Sequence, residues 1–228
     1  MTSFAFSPSP IIALPIADSK KMFPVRRVYC IGRNYAAHAI EMGHNPDKEP
    51  PFFFQKNSNN LDPSGEFIYP TESNEVHFEA EMAVCLKAGG TNIPENDALN
   101  TVFGYAVSLD MTRRDLQAAQ KNLGRPWEIG KAFERSAPIG KIYTTKQVGH
   151  PNSGAIVLKL NGQIKQSGDL TQMIWKTPEI ISYLSKYFML AAGDVILTGT
   201  PAGVGEVQKN DILEVSVQGL ETITVNVL

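Results

Sequence analysis

Residues 76–84 have the sequence VHFEAEMAV, in which apolar and polar side chains alternate. Because successive side chains of a β-strand point to opposite faces, this alternation predicts a strand with one apolar and one polar face. The polar face presents Glu79 and Glu81, which lie about 7 Å apart at the rise of a strand. Two carboxylates so close repel unless a cation lies between them, and hard divalent cations prefer carboxylate oxygens. Taken alone, the pattern also describes a strand with a solvated acidic face.

A second strand-like run, residues 101–110, ends in an acid that can complete such a site. The face that carries Asp110 otherwise holds glycine, alanine and serine, which leaves room beside the carboxylate. A helix is predicted over residues 113–122, ended by Gly124. Asp110 is therefore a candidate third metal ligand, or simply the cap of this helix.

A short helix is predicted over residues 35–42, after a strand at residues 27–32, because Gly43 can end it. His38 and Glu41 are three residues apart, so they share a helical face and can touch. A carboxylate beside an imidazole raises its basicity and fixes its tautomer, which suits the pair to deprotonate a water molecule. The alternative is an ion pair on an exposed helix.

Two further stretches carry candidate polar groups. Lys131 lies among small and apolar residues, where it can meet a substrate carboxylate or extend to the surface. The loop at residues 199–205, GTPAGVG, lacks the Lys-Ser/Thr pair of a phosphate-binding loop, and no good helix follows. Its N–H groups and the Thr200 hydroxyl can still approach a small anion. Residues 43–51 are polar and proline-rich, which predicts a surface loop and a candidate lid.

Composition narrows the class of protein. The chain has 228 residues, 43% of them hydrophobic, and a formal net charge of −2, which is ordinary for a globular protein with a real core. It has no basic cluster, so nucleic acid and anionic membranes are not predicted partners. Cys30 and Cys85 fit neither a disulfide framework nor a zinc motif and are predicted to be core residues in a reducing compartment. With neither a signal peptide nor a membrane span in the sequence, we predict a cytoplasmic protein.

Strand signals dominate the rest of the chain. Asn161-Gly162 predicts a type I′ hairpin, and residues 211–228 predict another. About ten strands and a few short helices predict an α+β, β-rich fold with a mixed or antiparallel sheet core. Residues 1–27, interrupted by prolines, are predicted to be an extended segment that packs on a single catalytic domain at residues 28–228.

Six short motifs follow one another along the chain. They are GRNYAAH with Glu41 (residues 32–41), HxExE (77–81), LDMTxRDxQ (109–117), GKxF (130–133), NG (161–162) and LTGTPxGVG (197–205). Together and in this order they resemble the fumarylacetoacetate hydrolase family over roughly residues 26–228. Within the family the chain looks most like the short acylpyruvate hydrolases. The run at residues 16–55 resembles bacterial fumarylpyruvate hydrolases of gentisate degradation.

The resemblance implies a fold, a cofactor and a set of site residues. It implies the family's β-rich roll of stacked sheets and, commonly, a homodimer. It implies Mg2+ or Mn2+ held by Glu79, Glu81 and Asp110. It also implies catalytic roles for His38, Glu41 and Lys131. The side chains expected to bind substrate are Arg33, Lys56, Gln117 and Thr200, with His44 as a second candidate for a distal carboxylate.

The implied function is metal-dependent hydrolysis of a C–C bond in a 2,4-dioxo acid, best matched by fumarylpyruvate, which yields fumarate and pyruvate. In this hypothesis water activated by His38 and Glu41 attacks the distal carbonyl, and the bond breaks toward a metal-bound pyruvate enolate. The same site suits decarboxylation of oxaloacetate or keto–enol isomerisation of hydroxymuconate-type diacids, since both pass through an enolate. A further alternative is a non-catalytic relative that binds a small diacid, although clustering three acids without a metal costs stability.

Overall fold

The chain folds as many short strands with a few short helices, and the computed structural model describes residues 3–41 and 50–228. In chain order the strands are β1 (Ala13–Pro15), β2 (Met22–Pro24), β3 (Val28–Gly32), β4 (Phe52–Lys56), β5 (Leu61–Asp62), β6 (Glu66–Phe67), β7 (Val76–Phe78), β8 (Ala80–Leu86), β9 (Val102–Leu109), β10 (Thr112–Arg113), β11 (Ala137–Pro138), β12 (Tyr143–Thr144), β13 (Ala155–Leu160), β14 (Gln163–Asp169), β15 (Val195–Leu197), β16 (Gly205–Glu206), β17 (Ile212–Val217) and β18 (Ile223–Val227). The helices are α1 (Ala36–Glu41), α2 (Glu95–Ala98), α3 (Arg114–Asn122), α4 (Glu128–Lys131), α5 (Thr145–Val148) and α6 (Thr177–Tyr187). Turns of 3-10 helix lie at Ser58–Asn60, Leu99–Thr101 and Leu170–Gln172.

Two larger sheets form the body of the fold. One has six strands in the order β12-β9-β8-β15-β3-β4, and the other has five in the order β14-β13-β17-β18-β6. Most neighbours are antiparallel, whereas β15 pairs with β3, and β18 with β6, in parallel. The smaller sheets are β10-β7-β16, β1-β2 and β11-β5. This mixed arrangement confirms the predicted α+β, β-rich fold.

Apolar side chains pack on both faces of the six-stranded sheet, and every residue of β8 is buried. Met82 and Val84 belong to the larger core cluster. Ala83 and Cys85 belong to a second cluster, to which β1 and β2 also contribute. Cys30 and Cys85 are buried and unpaired, as predicted. An acid on β8 therefore lies inside the protein, and the alternative of a solvated acidic face is wrong.

The strand predicted around the two glutamates is interrupted at Glu79. Before it, β7 pairs with β10 and β16, and after it, β8 pairs with β9 and β15. The register is kept across the break, because Ala80 lies opposite Leu109 and the Asp110 N–H donates to the Glu79 carbonyl at 2.9 Å. The side-chain alternation therefore continues through a point where the chain passes from one sheet to another. Glu79 and Asp110 therefore lie opposite each other where the chain changes sheets.

The local predictions agree with the structure to within a few residues. Asn161 and Gly162 have φ of 51° and 78°, as the type I′ turn requires. The predicted loop and lid at residues 43–51 lies mostly outside the described residues, and α1 is described only to Glu41. In the described part of the chain, no helix is both long and apolar enough to cross a membrane.

Candidate metal centre and active site

A cavity bounded by β3, β4 and β8 and by α1, α3 and α4 collects most of the predicted site residues. It encloses about 520 Å3 of space outside the atoms, part of it open to solvent. The predicted residues that line it are Arg33, His38, Glu79, Glu81, Asp110, Gln117, Lys131 and Thr200. Glu41 and Lys56 do not line it, but each contacts a residue that does.

Three buried carboxylates meet at the floor of this cavity. Glu79, Glu81 and Asp110 each offer one oxygen atom, and these atoms lie within 4.8 Å of one another. The exposed fractions of the three residues are 6%, 2% and 0%. Glu79 lies at the strand break, Glu81 is two residues further on the same face, and Asp110 lies across from Glu79. The strand register thus brings together the three acids that the sequence singled out.

Two of the acids are paired with cations. Arg114 Nη2 lies 2.5 Å, and Lys131 Nζ 3.0 Å, from the Glu79 carboxylate. Asp110 lies between Lys131 Nζ, at 2.7 Å, and Lys56 Nζ, at 2.8 Å. Burial raises the pKa of Glu79, but Lys131 and Arg114 outweigh burial and hold this pKa well below its ordinary value. The Glu79 carboxylate is therefore ionised at neutral pH.

Glu81 has a different environment. Within residues 3–41 and 50–228 it forms no ion pair, and the Gly199 N–H donates to its Oε2 at 2.6 Å. Gly199 has a φ of 94°, and a Cβ there would lie 2.7 Å from the Asn34 Cβ, so only glycine brings this N–H to the carboxylate. Burial, followed by the charges of Asp110 and Glu79, raises the pKa of Glu81 well above its ordinary value.

The residues present fit a divalent cation. Among the described residues Asp110 Oδ1 finds no hydrogen-bond donor, although it is buried and lies 2.8 Å from Lys56 Nζ. Glu81 accepts from the Gly199 N–H but has no cationic partner in the described part of the chain. Three carboxylate oxygens form a hard donor set, which suits Mg2+ or Mn2+ better than softer metals. An ion bound here would compensate the charge of Glu81 and use the remaining lone pairs of Asp110.

We expect Glu81→Gln to raise the stability of the metal-free protein at neutral to alkaline pH. A group whose pKa is raised in the folded state destabilises the fold as pH rises from its unfolded value through its folded value, and glutamine removes that charge while still accepting from Gly199. The expected gain is at least about 1 kcal/mol, or roughly 2–4 °C in melting temperature. Thermal unfolding at several pH values, with and without Mn2+, measures it.

The same melting curves contain the control. Mn2+ should raise the melting temperature of the wild type by more than that of Glu81→Gln, because the variant lacks one ligand. The exposed Glu72→Gln should change neither curve. A metal-free Glu81→Gln protein that is less stable than the wild type would contradict this account of Glu81.

His38 and Glu41 form the predicted pair. His38 Nδ1 lies 3.1 Å from Glu41 Oε2, and Glu41 also accepts from the Gly203 N–H at 3.3 Å. Only 8% of the His38 side chain is exposed, against 38% of the Glu41 side chain, so the imidazole is buried while its partner reaches the surface of the helix. His38 lines the same cavity as the three carboxylates of the triad, which places the imidazole near them. A hydrogen on Nδ1, bonded to Glu41, leaves Nε2 as the basic atom.

Lys131 does not extend to the surface. Its ammonium donates to Glu79 Oε2, Asp110 Oδ2 and Thr112 Oγ1, at 3.0, 2.7 and 2.6 Å. These bonds use all three hydrogens of the group. Burial lowers the pKa of Lys131, but Asp110 and Glu79 outweigh burial and raise this pKa above its ordinary value. Lys131 is thus a permanent cation between two of the carboxylates.

Lys56 was expected to contact substrate, and the structure places it elsewhere. Its side chain is fully buried, and its ammonium contacts Asp110, the Met111 carbonyl, the Ser136 hydroxyl and the Lys131 carbonyl. It lies behind Asp110 and outside the lining of the cavity. The predicted contact with substrate is therefore replaced by a contact with a candidate metal ligand.

One face of α3 contributes residues to which the sequence analysis gave no role. Arg114 lies within the LDMTxRDxQ motif, lines the cavity and donates to Gln117 Oε1 at 2.6 Å. Lys121, four residues beyond Gln117, also lines the cavity. The spacing 114, 117 and 121 is that of one helical face, so the helical period held a signal for both residues.

The more exposed part of the cavity carries cations and aromatic rings. The Arg33 guanidinium lies 5.1 Å from the centre of the Phe52 ring. Arg33 has a φ of 59°, a left-handed conformation that costs a non-glycine residue about 1–3 kcal/mol and is concentrated at functional sites. Lys121 and Trp127 lie at the same cavity. His44, the other residue considered for a distal carboxylate, lies outside the described residues.

Comparisons with known proteins place this site in a family. The sequence model of the fumarylacetoacetate hydrolase C-terminal domain matches residues 27–228. The chain is similar to fumarylpyruvate hydrolase from Pseudomonas aeruginosa, crystallised with Mn2+ and pyruvate, at 48% identity, 99% coverage of both chains and a TM-score of 0.97.

Two curated relatives carry a different activity name. The chain is 40% identical to the oxaloacetate tautomerase YcgM of Escherichia coli over 90% of this chain and 94% of that protein. It is 37% identical to the human mitochondrial oxaloacetate tautomerase FAHD1 over 89% of this chain and 91% of that protein. The match to the family over nearly the whole chain agrees with the buried acidic triad. The chain therefore belongs to the fumarylacetoacetate hydrolase family of metal-dependent enzymes and lies close to the fumarylpyruvate hydrolases.

Proposed function

We propose that this enzyme hydrolyses fumarylpyruvate to fumarate and pyruvate, with Mg2+ or Mn2+ as cofactor. The observation that carries the proposal is the meeting, at one cavity, of a carboxylate triad and a buried imidazole, His38, that is paired with Glu41. Hydrolysis needs both an acceptor for developing negative charge and a base that activates water. The similarity to the P. aeruginosa enzyme, which was crystallised with Mn2+ and pyruvate, supports the choice of a pyruvate-releasing reaction.

A cation held by Glu79, Glu81 and Asp110 would supply Lewis-acid stabilisation of the enolate oxygen that develops on the pyruvyl half. His38 Nε2 takes a proton from water, and Glu41 orients the imidazole through Nδ1. The water oxygen bonds to the distal carbonyl carbon. The C–C bond then breaks, its electron pair passes to the pyruvyl half, and the proton on His38 returns to that carbon to give pyruvate.

Polar groups around the cavity are assigned to the two ends of the substrate. Thr200 and Gln117 would hold the pyruvyl carboxylate, since Arg114 occupies Gln117 Oε1 and leaves its NH2 group as a donor. Arg33 and Lys121, in the more exposed part, would bind the fumaryl carboxylate. Phe52 and Trp127 offer flat apolar surface to the planar fumaryl chain.

A second candidate reaction is the keto–enol tautomerisation of oxaloacetate. The curated relatives named above carry this activity in their names and match about nine-tenths of the chain. Oxaloacetate has the same 2-oxo acid end, and its enolisation moves a proton without adding water. In that reaction His38 would carry a proton between the substrate carbon and solvent.

An ultraviolet assay separates these reactions. With Mg2+ or Mn2+, the absorbance of the fumarylpyruvate diketo-enol should fall, with fumarate and pyruvate as products, and a chelator should abolish the change. Oxaloacetate is assayed in parallel for tautomerisation and for release of CO2. If fumarylpyruvate is unchanged while oxaloacetate reacts, the hydrolase proposal fails and the second candidate stands. If neither reacts and the chelator alters neither stability nor ligand binding, both enzyme proposals fail and the alternative of a non-catalytic protein that binds a diacid remains.

A further inference from the structure

Gln166 is the one fully buried residue of an edge strand whose other residues are exposed or half-buried. In β14 it has no exposed surface, while its neighbours Lys165 and Ser167 are exposed. The register against β13 shifts between Leu158 and Lys159, so the pairing is irregular next to Gln166. Such irregularities commonly re-aim a side chain. Here the amide is aimed away from its own sheet, toward the strand break and the glycine-rich loop.

The Gln166 amide joins two parts of the active site. Its Oε1 accepts from the Ala80 N–H at 2.9 Å, and Ala80 lies between the two glutamates of the triad. Its Nε2 donates to Thr200 Oγ1 and to the Pro201 carbonyl, both at 2.8 Å. All three contacts are buried.

The orientation of this amide follows from its backbone partners. A backbone N–H only donates and a carbonyl only accepts, so Oε1 must face Ala80 and Nε2 must face Pro201. The second hydrogen of Nε2 then points at Thr200 Oγ1, which must accept it. The hydroxyl hydrogen of Thr200 is left for another acceptor. Among the described residues no hydrogen bond uses Thr200 Oγ1 as a donor, and Thr200 lines the cavity.

We propose that Gln166 is a positioning residue that orients the Thr200 hydroxyl as a hydrogen-bond donor toward an anionic oxygen of the ligand, the carboxylate of a 2-oxo acid. A free threonine hydroxyl can rotate in any direction, whereas Gln166 occupies one lone pair of this hydroxyl and leaves its hydrogen available to the ligand. Because the Thr200 hydroxyl is already oriented, ligand binding does not have to include the entropic cost of ordering it. This inference rests on the proposed function, because it takes a 2-oxo carboxylate as the ligand.

The test is a double-variant cycle with pyruvate as the probe, at saturating Mn2+. In Gln166→Glu the buried carboxylate can only accept, so the Thr200 hydroxyl turns to donate to it. A hydrogen bond to a charged group is worth about 1.5–3 kcal/mol, so pyruvate should bind roughly 10- to 150-fold more weakly. Thr200→Val should weaken binding by a similar factor. The double variant should be no weaker than either single variant, because both changes remove the same donor.

Several measurements distinguish a merely structural role of Gln166 from the proposed positioning of the Thr200 hydroxyl. The KM for the dioxo acid should rise while kcat changes little, since the contact is made equally with bound substrate and transition state. Thr200→Ser retains the hydroxyl and should restore most of the affinity. Gln163→Glu adds the same charge to an exposed position of β14 and should leave affinity unchanged.

Each result decides the inference. If Gln166→Glu and Thr200→Val weaken binding by factors that multiply in the double variant, Gln166 does not act through Thr200 and the inference fails. If Gln166→Glu does not fold, Thr200→Val alone decides. Unchanged pyruvate affinity in that variant would show that the Thr200 hydroxyl does not donate to the ligand, and the inference would fail. If the wild type with Mn2+ does not bind pyruvate, the proposed function fails together with the inference. Wild-type binding with unaffected variants overturns the inference alone.

Discussion

His38→Asn should lower kcat for the hydrolysis of fumarylpyruvate by about 10^2- to 10^4-fold, the usual contribution of a general base. Asparagine keeps a donor near the position of Nδ1 and can still contact Glu41, but it has no group equivalent to Nε2. The fall in kcat therefore measures the contribution of the basic Nε2 atom, and not a change in the packing of α1. Steady-state kinetics at saturating Mn2+, with the decay of the diketo-enol absorbance as the signal, measures the effect.

Three controls make this experiment specific to water activation. Affinity for Mn2+ should be almost unchanged, because His38 does not belong to the triad. If the wild type releases CO2 from oxaloacetate, His38→Asn should retain that activity, since decarboxylation needs no activated water. His150→Asn, a change on the surface at a histidine that contacts Tyr105, should have little effect on either reaction. Full hydrolase activity in His38→Asn would mean that another group activates the water.

The acidic triad was predictable because it depends on local periodicity and on strand register. Alternation around Glu79 and Glu81 puts both acids on one face, and the small residues preceding Asp110 make room beside it. The break at Glu79 was not predictable, because the alternation passes through it unchanged. The chain changes sheets there through pairing with β16, more than a hundred residues away.

Other parts of the site depend on how deeply a side chain is buried behind the cavity wall, which the periodicity of the sequence does not indicate. Phe52, Phe54 and Lys56 alternate along β4 and share a face, and the two phenylalanines do line the cavity. Lys56, at the end of the same row, lies behind Asp110. Gln166 was missed for a related reason, since its burial depends on the glycine-rich loop packing on β14.

The depth of Lys56 leads to a large expected effect on stability. Lys56→Met should destabilise the metal-free protein by about 3–5 kcal/mol, the usual cost of removing one partner of a buried ion pair. For a chain of this size that corresponds to roughly 6–20 °C in melting temperature. Methionine fills much of the same volume as lysine, so the loss of stability comes from the missing charge and hydrogen bonds more than from a cavity. The exposed Lys146→Met should change the melting temperature little.

Metal dependence distinguishes a positioning role for Lys56 from contact with substrate. In Lys56→Met the Asp110 carboxylate keeps Lys131 and loses its second cation, so a divalent ion should stabilise the variant by more than it stabilises the wild type. Since Lys56 does not line the cavity, KM at saturating Mn2+ should stay within a few-fold of the wild type.

The opposite pattern would return Lys56 to the role expected from the sequence. A variant with wild-type stability and a greatly raised KM would mean that the ammonium reaches the substrate during turnover. The two patterns involve different measurements, since one appears in the melting curve of the metal-free protein and the other in the kinetics of the loaded enzyme. The buried contacts of Lys56 with Asp110, Met111 and Ser136 favour the first pattern, because a lysine that left them to reach substrate would abandon a buried carboxylate.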